Sequence, residues 1–246
     1  MAVRPSEPGR PIWLELNAQR VTEGIRFYES LFAWSARPLH VPPWGAIPLI
    51  ASDTRTFGNQ FMAMGAFALP KWNLWFAADL ETALARIPEA GGLANPEIVR
   101  LAGHSEEVHG QDPSGLGFNL MRPDGWQPPE HDRPGEPMAA EYWGPEARRV
   151  AAFFAAVLGL DLEETARGAR LVGPEGARLF FTDPEFELIP PRWIPYLRTA
   201  SLGGDLERAR RLGAVPQMPE AEVDGLGRLA VLADPAGACF GLVQPS

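Results

Sequence analysis

Two carboxylates recur in the same setting 126 residues apart, and they are the first candidates for chemistry. Glu15 lies in Trp13-Leu-Glu-Leu-Asn17 and Glu141 in Ala140-Glu-Tyr-Trp143. Both stretches alternate as strands do, with successive side chains on opposite faces. Ile12, Leu14 and Leu16 then share one face, and Trp13, Glu15 and Asn17 the other. The second copy sets Met138, Ala140 and Tyr142 against Ala139, Glu141 and Trp143. A carboxyl group on an aromatic-lined face loses water and keeps its proton to higher pH, which suits general acid or base work. The competing reading is structural: each glutamate bonds backbone groups or an arginine and fixes the sheet. Recurrence in both halves favours the structural reading, because a single catalytic site need not be duplicated.

Other reactive groups are sparse. In Ser105-Glu-Glu-Val-His-Gly110, strand alternation puts Glu107 and His109 on one face and Glu106 on the other, so Glu107 and His109 are the candidates for a metal. His40 and His131 fall in proline-rich stretches and are expected at the surface, with His104 in a loop before a strand. Cys239 reads as a small buried side chain, since no histidine stands near it in sequence to activate a thiolate. There is no glycine-rich dinucleotide turn after a strand, no phosphate loop and no Gly-x-Ser-x-Gly elbow.

Composition narrows the field further. The 246 residues are 46% hydrophobic and 22% charged, which excludes wholesale disorder and allows two domains of ordinary size. One cysteine excludes a disulfide framework and a multi-cysteine zinc site. A net charge of -9 without a basic stripe argues against nucleic acid. No run reaches membrane-span length and no signal peptide is apparent, so the expected setting is the cytoplasm, without a membrane partner. The 8 tryptophans indicate large apolar surfaces, in a core or around a ligand.

The elements that must position these residues follow from an internal repeat. Glu15, Phe27-Tyr28 and Leu31-Phe32 align with Glu141, Phe153-Phe154 and Val157-Leu158. Trp72 aligns with Trp193, and Asp112-Pro-x-Gly115 with Asp234-Pro-x-Gly237. Each half divides again into strand, helix and short strands. Helical stripes run through Val21, Ile25, Tyr28 and Leu31, through Leu80, Leu84 and Ile87, through Val150, Phe153 and Val157, and through Leu206, Ala209 and Leu212. Asp79 is the expected cap of the second helix, Gly91-Gly92 its stop, and Pro145 the expected first residue of the third. The fold class is therefore α+β, with four βαβββ repeats at about 11–67, 70–122, 137–183 and 191–244. They make two domains, 1–125 and 137–246, joined by a proline-rich linker at 126–136.

This pattern, with W-L-E-L…F-Y-E-S-L-F-A-W, W-N-L-W-F-A-A-D-L…G-G and D-P-x-G-x-x-F, resembles the tandem two-domain glyoxalase-like branch of the vicinal oxygen chelate superfamily. That group holds glyoxalases, bleomycin-resistance proteins and extradiol dioxygenases. The resemblance implies partly closed mixed sheets with helices outside and ligand cups within. Trp13, Asn17, Trp72, Trp75, Asn119, Trp143, Trp193 and Tyr196 would then line the cups, unless their rings fill them.

Metal-binding members of the superfamily place a His or Gln on the opening strand of a repeat and a Glu on the last. The aligned openings here are Trp13, Trp72 or Asn73, Ala139, and Trp193 or Ile194. The closing positions are Asn119 and Gly241, with less secure placements near Met62 and Phe180. None supplies the His or carboxylate ligands of such a site, and no cofactor is expected. The resemblance and these slots imply metal-independent binding of a small apolar or aromatic molecule, for sequestration or sensing, by a monomer or homodimer. The alternative is a lyase, isomerase or dioxygenase-type enzyme using Glu15, Glu141 or an unrecognised divalent metal. A third possibility is a partner-binding protein whose cups are filled.

Overall fold

The computed structural model describes residues 7–41, 45–52, 55–62, 69–101, 104–183 and 190–246. The first repeat is β1 (Pro11–Ala18), α1 (Val21–Phe32), β2 (Ser35–Val41), β3 (Gly45–Ser52) and β4 (Arg55–Met62). The second is β5 (Lys71–Ala77), α2 (Leu80–Glu89), the short β6 (Leu93–Ala94) and β7 (Val99–Leu101), β8 (Ser105–Gln111) and β9 (Gly117–Pro123). The third is β10 (Pro137–Trp143), α3 (Ala147–Leu158), β11 (Asp161–Thr165), β12 (Gly168–Gly173) and β13 (Gly176–Thr182). The fourth is β14 (Arg192–Arg198), α4 (Leu202–Arg211), the short β15 (Val215–Pro216) and β16 (Ala221–Val223), β17 (Gly227–Ala233) and β18 (Cys239–Gln244). The fold is α+β with four βαβββ repeats. In the second and fourth, the strand after the helix is broken in two.

Each repeat pairs its first strand in parallel with its last: β1 with β4, β5 with β9, β10 with β13 and β14 with β18. The intervening hairpins are antiparallel. The first and third repeats even share an irregularity. The register skips Phe57 in β4 and Arg178 in β13, so each last strand carries one extra residue at the same place. Such a bulge bends the strand and increases its twist.

Helix ends follow the local chemistry. The Asp79 carboxylate accepts from the Thr82 backbone N–H at 2.9 Å, and the Ser201 hydroxyl from Gly204. Gly159 closes α3 in the left-handed conformation, φ 69°. Pro145 is not the first helical residue. It lies in the turn two residues before α3, where its carbonyl accepts from the Tyr142 hydroxyl.

By contacts the chain divides into two compact units. Unit A gathers Met1–Ile12, Leu74–Pro128 and Ala139–Trp193. Unit B gathers Trp13–Asn73, Pro129–Met138 and Ile194–Ser246. Each unit therefore draws on both halves of the sequence. In unit A, Trp193 packs edge-on against Phe76 at 4.9 Å and Phe154 at 5.3 Å, with Tyr142 and Phe181 beside it. In unit B, Tyr28 stacks on Trp34 at 4.9 Å and meets Trp72 and Phe240 edge-on. Edge-to-face and offset contacts suit the ring quadrupoles and add to the burial of area.

The two Asp-Pro-x-Gly turns are part of these cores. The Asp112 Oδ1 accepts from the Ser114 and Leu116 backbone, and the Asp234 Oδ1 from Ala236 and Ala238. The Tyr142 hydroxyl donates to Ser114 Oγ in unit A, and the Tyr28 hydroxyl to Asp234 Oδ2 in unit B. In each case the tyrosine and the turn come from opposite halves of the sequence. Burial pushes both aspartates above the ordinary carboxylate range, although their backbone donors pull the other way.

The expected linker has no helix or strand, but it is held in place. Arg55 reaches Asp132 at 2.9 Å, Glu130 at 3.1 Å and the fully buried Glu136 at 3.4 Å. His131, expected at the surface, is buried with its ring against the Pro137 carbonyl. The compact packing of the linker overrides its polar composition there. His40 belongs to β2 rather than to a loop. Trp44 lies outside the described residues. Among the described residues, no helix is long and apolar enough to cross a membrane.

Candidate functional site

The polar side chains of the first two repeats form two clusters, one in each compact unit. The cluster in unit B centres on Glu15, half-buried in the middle of β1. Its Oε1 accepts from Asn17 Nδ2 at 2.8 Å and Asn73 Nδ2 at 2.9 Å, and its Oε2 from Asn59 Nδ2 at 3.0 Å. The Trp13 indole N–H donates to Asn59 Oδ1 at 2.6 Å. Parallel pairing of β1 with β4 places Asn59 directly beside Glu15. Strand alternation on β1 and β5 supplies Trp13, Asn17 and Asn73 on the same side. Among the described residues, no cation forms an ion pair with Glu15.

The cluster in unit A centres on Glu107. Its Oε2 accepts from the Trp75 indole at 2.9 Å and lies 3.2 Å from His109 Nε2, while its Oε1 accepts from Ser105 Oγ at 2.6 Å. The other ring nitrogen of His109 faces Asn119 Oδ1 at 2.8 Å. Asn119 is oriented by its own Nδ2, which donates to the Leu74 carbonyl. Both imidazole nitrogens thus face oxygens, and which of them the ring donates to depends on its tautomer. Burial pushes the Glu107 carboxyl up, but the hydrogen bonds from His109, Ser105 and Trp75 outweigh it and hold the group below the ordinary value. The neighbouring His104, whose Nδ1 meets Ser105 Oγ at 2.9 Å, is held below the usual imidazole range by burial.

The remaining sequence candidates lie elsewhere. Glu141 is buried on β10 and accepts from Thr182 Oγ1 at 2.5 Å. Its in-register neighbour on β13 is Phe180, not an amide. Trp72 and Trp193 sit in the aromatic layers described above, next to Tyr28 and Phe154 of the helices. Tyr196 is buried across Gly241, where a Cβ would come 2.0 Å from its ring. Trp143 is buried at the end of β10. Cys239 is buried, as its small apolar neighbours suggested.

Three contributors escaped the sequence reading: Asn59, Ser105 and His104. The closing position of the first repeat is Asn59 rather than the neighbourhood of Met62, which pairs with Ala18 at the end of β1. Alignment of F-G-N-Q at 57–60 with G-F-N-L at 117–120 is the signal that finds it. The bulge at Phe57 obscures simple alternation there.

The donors present do not fit the metal that the superfamily's chelating members carry. Among the described residues, no group of three or more His, Cys, Asp or Glu side chains gathers. Glu107 and His109 do meet, but they point at each other, and both Glu107 oxygens already accept from protein donors. Around Glu15 the amides turn their N–H groups inward, leaving one carboxylate and few oxygens for an ion that needs several.

Comparison with known proteins agrees with this architecture. Residues 144–243 match a family model described as "Glyoxalase-like domain". The chain is 24% identical over 254 residues to "Putative glyoxylase CFP32" of Mycobacterium tuberculosis, covering 97% of this chain and 95% of that one. It is 24% identical over 273 residues to "Anthracycline biosynthesis protein DauV" of a Streptomyces species, covering 96% and 94%. Among solved structures it is similar to the Mn(II)-bound glyoxalase from Novosphingobium aromaticivorans, with TM-score 0.70, 14% identity, and 97% and 83% of the two chains covered. It is also similar to 2,2',3-trihydroxybiphenyl 1,2-dioxygenase from Sphingomonas wittichii, with TM-score 0.72, 12% identity, and 97% and 91% covered. Residues 144–243 thus match a glyoxalase-like domain in sequence, and the fold of the chain is that of the vicinal oxygen chelate superfamily.

Proposed function

We propose that this protein binds a small, flat, largely apolar molecule without the help of a metal ion. The observation that carries this reading is the state of the two carboxylates. Each oxygen of Glu15 and of Glu107 accepts a hydrogen bond from the protein itself. Such groups shape and polarise a surface, and among the described residues neither is joined by the further carboxylates or imidazoles that a metal ion needs. Trp13 and Trp75 are anchored in these clusters by their indole N–H groups, which fixes the rings for stacking. The relative named for anthracycline biosynthesis supports an aromatic metabolite as the ligand class, since anthracyclines are fused aromatic polyketides.

Titration with a hydroxylated anthraquinone, followed by quenching of tryptophan fluorescence, tests the reading. Saturable quenching that is indifferent to EDTA is expected. Saturation that appears only after Mn(II) is added would overturn it. The competing reading is a lyase, isomerase or dioxygenase-type enzyme, favoured by the fold shared with a Mn(II)-bound glyoxalase and a dioxygenase. Metal-dependent saturation is the outcome that would favour it.

A further inference from the structure

Among the described residues, the half-buried carboxylate at the centre of the unit B cluster has no counter-charge of its own. Asp112 and Asp234, also buried, are held by N–H and O–H donors of their own turns and a tyrosine, but several other shielded carboxylates face a cation or an imidazole. Glu107 faces His109, Glu136 faces Arg55, and Glu106 faces Arg122 and Arg100. Glu15 is surrounded instead by the neutral amides of Asn17, Asn59 and Asn73. Its three N–H donors are neutral, so none of them cancels a carboxylate charge. Lys71 shares a strand face with Asn73 but is exposed, and among the described residues no ion pair links it to Glu15. A partly desolvated, uncompensated charge is costly to keep, and a ligand of opposite charge relieves that cost on binding.

We infer that the ligand of this site carries a protonated amine on its aromatic body, and that Glu15 is its charge partner. The inference rests on the small-molecule binding reading and adds the chemical class of the ligand. The parts agree with it. An ammonium group can be held by one carboxylate, which the half-buried Glu15 supplies beside the buried Trp13, whereas a metal ion needs several oxygens. Among the described residues, Oε2 of Glu15 accepts one bond, from Asn59, so a lone pair remains for a second donor. The net charge of -9 draws a cation towards the protein from a distance.

The experiment compares three matched probes by calorimetry at about pH 7 and low salt: naphthalen-2-ylmethanamine, naphthalen-2-ylmethanol and 2-naphthoate. The amine should bind the wild-type protein about tenfold more tightly than the alcohol, as one charge-assisted hydrogen bond provides, and the acid most weakly. Added salt should erode the advantage of the amine and leave the alcohol unchanged. Glu15→Gln should bring the amine level with the alcohol, and Glu15→Asp should keep part of the preference. Equal wild-type affinity for amine and alcohol would overturn the charge inference while leaving the binding reading intact. Absence of saturable heat with all three probes would overturn both.

Discussion

Asn59 and Asn119 stand in the first half of the chain where Phe180 and Gly241 stand in the second, each in register with the opening strand of its repeat. Glu107 and His109 of β8 likewise correspond to Leu229 and Val231 of β17, both buried. The backbone is the same on both sides of the comparison, down to the shared bulge, while the inward chemistry is not. One half spends these positions on hydrogen-bonded polar groups, and the other on apolar filling, with Tyr196 lying across Gly241. The strand scaffold therefore does not dictate polarity at these positions, and under the proposed function the polar half is where the ligand would be recognised.

The largest effect expected is on the filled side. Trp193→Ala should cost about 3–5 kcal/mol, the usual range for emptying an aromatic core site. That would lower the midpoint of thermal unfolding by roughly 10 °C for a chain of this size. A loss of ligand affinity with unchanged stability would instead make Trp193 a ligand contact and blur the comparison.

The next test copies one half onto the other. His109→Val should cost about 2 kcal/mol, because Glu107 is left as an uncompensated charge; partial exposure of His109 keeps the cost below that of a fully buried pair. The double variant Glu107→Leu with His109→Val reproduces the residues of β17 and should recover most of that loss, as replaced ion pairs often do. Chemical denaturation of the three variants measures the recovery. A double variant less stable than the single one would show that the polar cluster also stabilises its half. Gly241→Ala should cost about 1–3 kcal/mol, since the new methyl group collides with the Tyr196 ring.

The smallest effect is a pH dependence confined to the polar side. Burial holds His104 below its ordinary value of 6.5 in the folded state. The unfolded chain therefore takes up the proton first, and stability present above about pH 6.5 declines as pH falls towards the folded value. Glu107 behaves with the same sign lower down: its contribution is complete above its ordinary value of 4.5 and fades as pH falls through its depressed one. His104→Asn should flatten the upper part of this decline and leave the lower part. Unfolding free energies measured from about pH 7 to 4 separate the two.

The repeat, the four helices and the α+β class were legible in the sequence because they depend on periodicity and on turn chemistry such as Asp79 and Gly159. Strand alternation also placed Glu15, Asn17 and Trp13 together, and Glu107 with His109. It could not show which side chains bond. The rings of Trp72 and Trp193 were assigned to cups, yet both lie among helix residues, because they share their faces with Leu74 and Phe76 or with Leu197. The parity of the strand, counted from Asn73 or Trp75, would have separated them. His131 and Asn59 were obscured by contacts distant in sequence and by a bulge, neither of which leaves a local signature.

The division of the compact units has a consequence for how the protein is made. Unit A draws its last large segment from 139–193, whereas unit B joins 13–73 to 194–246. A ribosome translating this message therefore releases every segment of the first unit while Tyr28 of α1 still waits for Asp234 and Phe240, encoded about 200 codons downstream. Through that interval the apolar face of α1 around Phe27 and Tyr28 lacks its distant partners, and such transiently exposed surface is what makes a nascent chain prone to aggregate.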